Sequence, residues 1–390
     1  MTASAETVEN PPQWAALAGV TAALAMFGAA QGLSYPLFTL LMQRQGLSPA
    51  LIGLSAAMMP VGLILSASFV PATVRLFGAR NLAVGCSLAG ALCFLAIGYL
   101  QDWVAWFVLR FLIGVVINPL YVLGEVWALS LAPPSRRGRV MGVFNALMGA
   151  GYAAGPLILI SVGTTGWAPF IAAISGFSLC AAILRAVSSK LTGFEDDGQA
   201  TGGLIGFARL APALLLAVLV AAAVQQSTYA LIPVFGSGYG LPEAMLAALV
   251  TALSAGNILL QIPLGLMAER FGGRAMILFC ALATSACALS LPLLITTPLV
   301  WPILVVMGAV GYGVYTMALI ELGSRFKGTV LVAGNAAFAL MWGAGGIVGP
   351  PGAGALMQAI GPLGLPTVIA GLDALLITFA LYRSYQRRRS

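Results

Sequence analysis

Glu125, Arg110, Asp373 and Glu321 are the side chains of this sequence best placed to do chemistry, because each lies within an apolar run long enough to cross a bilayer. A charge in hydrocarbon costs roughly 2.5–3.5 kcal/mol by insertion scales, so a sequence keeps one there for a reason. The chemistry within reach is proton uptake and release, and recognition of opposite charge. A carboxylate held out of water favours its protonated form, and an approaching cation or solute reverses that preference. At about 100° per residue, Arg110, Gly114, Asn118, Tyr121 and Glu125 fall within an arc of about 80° and form one polar stripe. Glu125 is the first candidate for a proton-titrating group; the competing reading pairs it with Arg136, Arg137 and Arg139. Arg110 stands about 22 Å away at about 1.5 Å per residue, too far to pair with it. It either binds an anionic group or bonds to backbone carbonyls. Asp373 is a second candidate proton site, or else a neutral acid bonded to a neighbouring helix. Glu321 lies off the face of Tyr315 and one turn before Arg325, which reads as an i,i+4 ion pair.

Uncharged polar residues form a second set. Gln31, Ser34 and Tyr35 are spaced i, i+3, i+4, and so are Gln225, Thr228 and Tyr229, which makes two copies of one patch for a central solute site. Asn145 with Tyr152, Asn257 with Gln261, Tyr315, and Asn335 with Trp342 could extend it, alongside Arg110, Asn118 and Tyr121. The alternative for each is hydrogen-bond glue between helices. There is no histidine, and none of the five cysteines has metal-ligand spacing. No phosphate-binding loop or nucleophile elbow occurs, so no metal, cofactor or enzyme activity is expected.

The elements that must position these residues are membrane helices. The chain is 60% hydrophobic and 7% charged, where soluble domains carry about 25% charged residues. Twelve apolar runs are expected as spans, near 14–42, 50–73, 80–100, 103–131, 139–162 and 168–189, then 209–236, 244–267, 275–296, 300–324, 329–357 and 363–383. An offset of 194 positions lays Gln31–Tyr35 on Gln225–Tyr229, Phe77-Gly78 on Phe271-Gly272, Gly114 on Gly308, and Gly151-xxx-Gly155-Pro156 on Gly345-xxx-Gly349-Pro350. The expectation is an all-α polytopic protein built from two parallel six-helix repeats: residues 1–190, a polar linker at 191–204, and residues 205–390. Pro36, Pro60, Pro119, Pro156, Pro233, Pro263 and Pro350 are expected to kink helices rather than end them.

Of the 18 basic residues, 16 fall on the side that would hold both termini; Arg44 stands alone opposite, and Arg110 lies within a span. This predicts cytoplasmic termini and accounts for the net charge of +7 without nucleic acid as a partner. No cleaved signal peptide is expected at the start of the chain.

Gly265-Leu-Met-Ala-Glu269-Arg270-Phe-Gly272-Gly-Arg274 resembles the cytoplasmic-loop motif of the major facilitator superfamily. In the first-half copy Arg75 occupies the position of the acid. Arg110-xxx-Gly114 is similar to a fourth-helix motif of that family. Gly142, Gly151, Gly155 and Pro156 are similar to the fifth-helix motif of its antiporter branches, with Leu159 and Ile160 in place of the trailing glycines. The run from Arg110 through Glu125 to Arg139 resembles a bacterial efflux-like subgroup. The resemblance implies the major facilitator fold in a bacterial inner membrane, a central cavity lined by the span at 103–131, and a peripheral place for Asp373. It further implies conformational roles for Gly265, Glu269, Arg270, Gly272, Arg274, Gly151, Gly155 and Pro156.

The expected function is secondary transport by alternating access: proton-coupled export of a small amphipathic organic solute, with the chain acting as a monomer and the lipid bilayer and protons as its other partners. A proton symporter or uniporter for uptake is the alternative, and a non-transporting sensor or membrane enzyme a more distant one.

Overall fold

A computed structural model describes residues 14–133, 136–191 and 204–389. The polar linker and the N-terminal segment therefore lie almost wholly outside the described residues. Those described form helices and connecting turns, without a strand. The first series is α1 (Trp14–Arg44), α2 (Pro49–Ala67), α3 (Val70–Phe77), α4 (Ala79–Tyr99), α5 (Trp103–Leu131), α6 (Arg137–Val162) and α7 (Ala168–Val187). The second is α8 (Leu204–Leu210), α9 (Pro212–Ser237), α10 (Glu243–Leu259), α11 (Gln261–Phe271), α12 (Gly273–Leu294), α13 (Val300–Arg325), α14 (Gly328–Ile360) and α15 (Gly364–Arg389). Ten helical stretches among the described residues could cross a membrane, and the bent pair α10–α11 makes 11. One of the ten, Ala333–Arg383, holds both α14 and α15 about the turn at Gly361–Leu363, which brings the crossings to the twelve expected.

The backbone of a membrane span must satisfy its own polar groups, so these apolar runs become helices. Their outer faces are bare hydrocarbon: Leu76, Ile262 and Leu293 are 75%, 75% and 79% exposed.

Three expected runs are interrupted by proline, which has no N–H to give to the preceding turn. The run at 50–73 divides at Ser68–Phe69, with Pro71 in the first turn of α3. The run at 209–236 is preceded by α8, and Pro212 opens α9. The run at 244–267 bends by 46° at Leu260, just before Pro263. Pro263 thus marks a break rather than the kink expected, whereas Pro36, Pro60, Pro119, Pro156, Pro233 and Pro350 do lie inside helices.

The sequence repeat returns in the backbone. Gly78 and Gly272 join α3 to α4 and α11 to α12 with φ of 75° and 84°, a region closed to most side chains. Gly151 and Gly155 let α6 lie directly on the α1 backbone, where added Cβ atoms would strike Ala25 and Gly32–Leu33; Gly345 and Gly349 do the same for α14 on α9. Across the two series, α2 packs on α14, α6 on α10 and α1 on α9.

Among the described residues, the side-chain hydrogen bonds and ion pairs between the series gather at the Arg44 end. Thr39 Oγ1 donates to the Ala230 carbonyl at 2.8 Å, and Gln43 Nε2 to Ser237 Oγ at 2.7 Å. Arg44 pairs with Glu243 and also donates to Thr164, whose hydroxyl reaches Glu243 at 2.7 Å. At the opposite end the faces bearing Glu125, Asn145 and Asn335 are exposed.

Candidate functional site

Arg110, on α5, is 4% exposed. Its Nη1 donates to Ser55 Oγ on α2 at 3.2 Å, and its guanidinium lies 4.6 Å from the centroid of the Phe38 ring on α1. No carboxylate lies within ion-pair distance of it among the described residues. Deeper along the stripe, Asn118 is 5% exposed and Gln31, on α1, is 1% exposed. The amide nitrogens Asn118 Nδ2 and Gln31 Nε2 are the buried side-chain atoms without a hydrogen-bond partner among the described residues. Burying such a donor without a partner is costly, so native proteins rarely do so without a use for it. Tyr121 packs edge-on against Phe27 at 4.9 Å.

Aromatic rings continue the site across both series. Tyr35 (α1), Tyr152 (α6) and Tyr229 (α9) form a triangle with centroid separations of 5.9, 6.4 and 6.0 Å. Ser254 Oγ, on α10, donates to the Tyr229 hydroxyl at 3.2 Å. Tyr312, Tyr315 and Trp342 form a second cluster at 5.5, 5.9 and 4.7 Å. Glu125 is exposed on α5, without an ion pair among the described residues, and within electrostatic range of Tyr121, Tyr312 and Tyr315. Of the rival basic cluster, the Arg137 side chain lies outside the described residues.

The structure thus brings together Gln31, Tyr35, Arg110, Asn118, Tyr121 and Tyr229 along the α1–α5–α9 interior, with Glu125 at the far end of the α5 stripe and Tyr315 and Trp342 on an aromatic wall contributed by α13 and α14. Gln225 is half-buried on α9, and Asn145 and Asn335 are exposed on α6 and α14. Gln261 is engaged otherwise: its Nε2 donates to the Ala309 carbonyl at 3.1 Å and to Asn257 Oδ1 at 3.3 Å, while Thr316 donates to its Oε1 at 3.0 Å. That set of bonds ties the α10–α11 bend to α13. Ser34 and Thr228 bond to backbone carbonyls of their own helices.

Asp373 is buried away from both clusters, accepting from Ser285 on α12 at 3.2 Å. Glu321 pairs with Arg325 one turn on, as its spacing predicts, and also accepts from Arg274 Nε at 3.0 Å. Arg274 therefore reaches Glu321 rather than Glu269, which is exposed with Arg270 on the last turn of α11. No group of three potential metal ligands occurs among the described residues.

Sequence reasoning missed Phe27, Phe38, Ser55, Tyr312 and Ser254. Tyr312, three residues before Tyr315, carried a helical-face signal; Ser55 and Ser254 carried none, being brought in from other helices.

A family model described as Major Facilitator Superfamily matches residues 20–350 and 214–390. An uncharacterized MFS-type transporter, YfkF, from Bacillus subtilis (strain 168) is 25% identical over 350 residues, covering 85% of this chain and 86% of its own. In structure the chain is similar to a point mutant of the nucleoside transporter NupG, with a TM-score of 0.77 at 14% identity, covering 94% of this chain and 99% of that one. It is also similar to a D-xylose-proton symporter, with a TM-score of 0.72 at 13% identity and coverage of 95% and 97%.

Proposed function

The chain belongs to the major facilitator superfamily of secondary transporters, and we propose that it exports a small amphipathic organic solute in exchange for inward-moving protons. The bodies that rock are residues 1–190 and 205–390, and both termini face the cytoplasm of a bacterial inner membrane. In that orientation the Arg44–Glu243–Thr164 contact seals the outer end, and the Glu125 face opens inward.

One observation supports the coupling role of Glu125. Among the described carboxylates it alone opens onto aromatic side chains of both series without an ion pair, whereas Glu243 and Glu321 are paired and Asp373 is bonded to Ser285 away from the site. A carboxylate between two moving bodies meets a different environment in each state, and this is what a proton carrier needs. Asp373, buried and accepting from Ser285, is a second proton site. Tyr35, Tyr229, Tyr315 and Trp342 supply apolar surface for the solute, with Gln225 and the amides of the first series as polar contacts.

The test is solute flux into liposomes carrying a pH-sensitive dye. Wild-type protein should move protons only when solute is present, and Glu125→Gln should abolish the dye response while the protein stays folded. Undiminished gradient-driven transport by Glu125→Gln would remove this residue from the mechanism. Proton and solute moving in the same direction would replace export with symport.

A further inference from the structure

The buried donors of the first series point to the kind of solute. Phe27 meets Tyr121 at 4.9 Å and Phe38 meets Arg110 at 4.6 Å, so α1 and α5 run antiparallel in one fixed register between these two contacts. Gln31 is one turn beyond Phe27, and Asn118 almost one turn before Tyr121, which sets the two amides at the same level on neighbouring helices. Among the described residues, these are the two with buried side-chain nitrogens that lack a partner. Further along the same seam stand Tyr35 and then Arg110, a buried cation held by one hydroxyl and the face of one ring. A buried charge without a counter-charge is unfavourable, as is a buried N–H without an acceptor. The seam therefore presents one full positive charge and two amide donors, and the matching acceptors are missing among the described residues.

We propose that this seam is the recognition site for an organic anion: a solute whose carboxylate, or a comparable acceptor-only group, is bonded by Gln31 and Asn118 and attracted along the seam by Arg110, about 12 Å further on at about 1.5 Å per residue, with its apolar body against the tyrosines. The inference deepens the transport reading and rests on it for the route by which solute reaches the seam. A bare cation has no acceptor to offer these groups, and a charged amine would meet Arg110 with like charge. The selectivity is thus for anionic over cationic amphiphiles of the same shape.

The test uses the purified full chain in detergent, with 3-phenylpropanoate and 3-phenylpropylamine as a matched anion and cation. The carboxylate should raise the thermal unfolding temperature saturably, and the amine should not. Asn118→Leu and Gln31→Leu should each weaken the carboxylate effect about tenfold, the loss of one hydrogen bond to a charged group. Because the amide hydrogens removed have no partner, both variants should unfold without ligand at or above the wild-type temperature. Arg110→Gln should weaken the effect by removing the attracting charge, and Arg110→Lys, which keeps that charge, should restore most of it. Equal stabilisation by the amine, no stabilisation by the carboxylate, or unchanged affinity in the leucine variants would overturn the proposal. So would a fall in ligand-free stability in both, which would make the amides structural.

Liposome flux separates the two layers. Carboxylate binding without any flux leaves the anion site standing and removes the transport reading for that solute. Gradient-driven flux of a cationic solute at the wild-type rate by Arg110→Gln does the reverse.

Discussion

In α5, Gly114 rests against the backbone carbonyl of Met59; in α13, 194 positions on, Gly308 rests against that of Leu253. The same close helix pair is built twice. The side chains beside it are not. Arg110, Ser55 and Phe38 correspond to Leu304, Leu249 and Ile232, and all three of those are buried. Asn118 corresponds to Tyr312, and Glu125 to Leu319. A guanidinium with its hydroxyl and its aromatic face has become an apolar trio, as it must if neither arrangement tolerates a mixture. One backbone plan carries two environments: a charged, donor-rich seam in the first series and an aromatic wall in the second.

Leu304→Arg breaks the comparison most severely. It places a cation among Leu249 and Ile232, without the hydroxyl and ring that hold Arg110. An uncompensated buried charge costs about 3–5 kcal/mol, so little folded protein should survive detergent extraction and a thermal scan. Wild-type yield and unfolding temperature would show that the second series can solvate a charge, and the contrast between the halves would lose its physical basis.

Next in size is a pair that tests what the halves share. Gly114→Ala and Gly308→Ala each push a methyl group onto a backbone carbonyl, and overpacking of this kind costs about 1–3 kcal/mol. The two should fall by comparable amounts in chemical denaturation, since each glycine meets the same feature of its partner helix. A large loss in one and none in the other would mean that the equivalence of the two helix pairs is superficial.

Part of this was readable from the chain alone, and the division follows the range of the forces involved. The helices, the repeat and the Glu321–Arg325 pair all follow from local rules of hydropathy and spacing, and the structure agrees with them. The polar stripe on α5 was visible as a helical arc, but what surrounds it was not. Ser55 approaches Arg110 from another helix, and nothing around Gln31 or Asn118 in sequence signals that their amides lack partners. Of the two polar patches, Tyr35 and Tyr229 meet ring to ring, whereas Ser34 and Thr228 bond to their own backbone. A hydroxyl on a helix can always reach a carbonyl of the preceding turn, so spacing alone could not distinguish these uses. The breaks near Ser68 and Leu260 were lost because hydropathy continues through them although the hydrogen-bond ladder does not.

The smallest expected effect on stability concerns the contact that takes one charge from each series. Arg44 corresponds to Gly238 and Glu243 to Pro49, so the repeat contains this ion pair once. Its side chains are 30% and 45% exposed, and such pairs contribute about 0–1 kcal/mol after solvent screening. Glu243→Gln should therefore barely move the unfolding temperature. Its effect on conformation should be larger in proportion, because the bond exists only while this end is closed, and about 1.4 kcal/mol is a tenfold change in an equilibrium. Thr39→Cys provides the readout, since Thr39 is 1% exposed and lies behind the pair. In the Glu243→Gln background its labelling by a membrane-impermeant maleimide should rise several-fold, with little change for the native cysteines, which lie within helices. An unchanged labelling rate would assign closure of this end to the apolar packing of α2 on α14, and the asymmetry between the halves would then shape the seam without governing the motion.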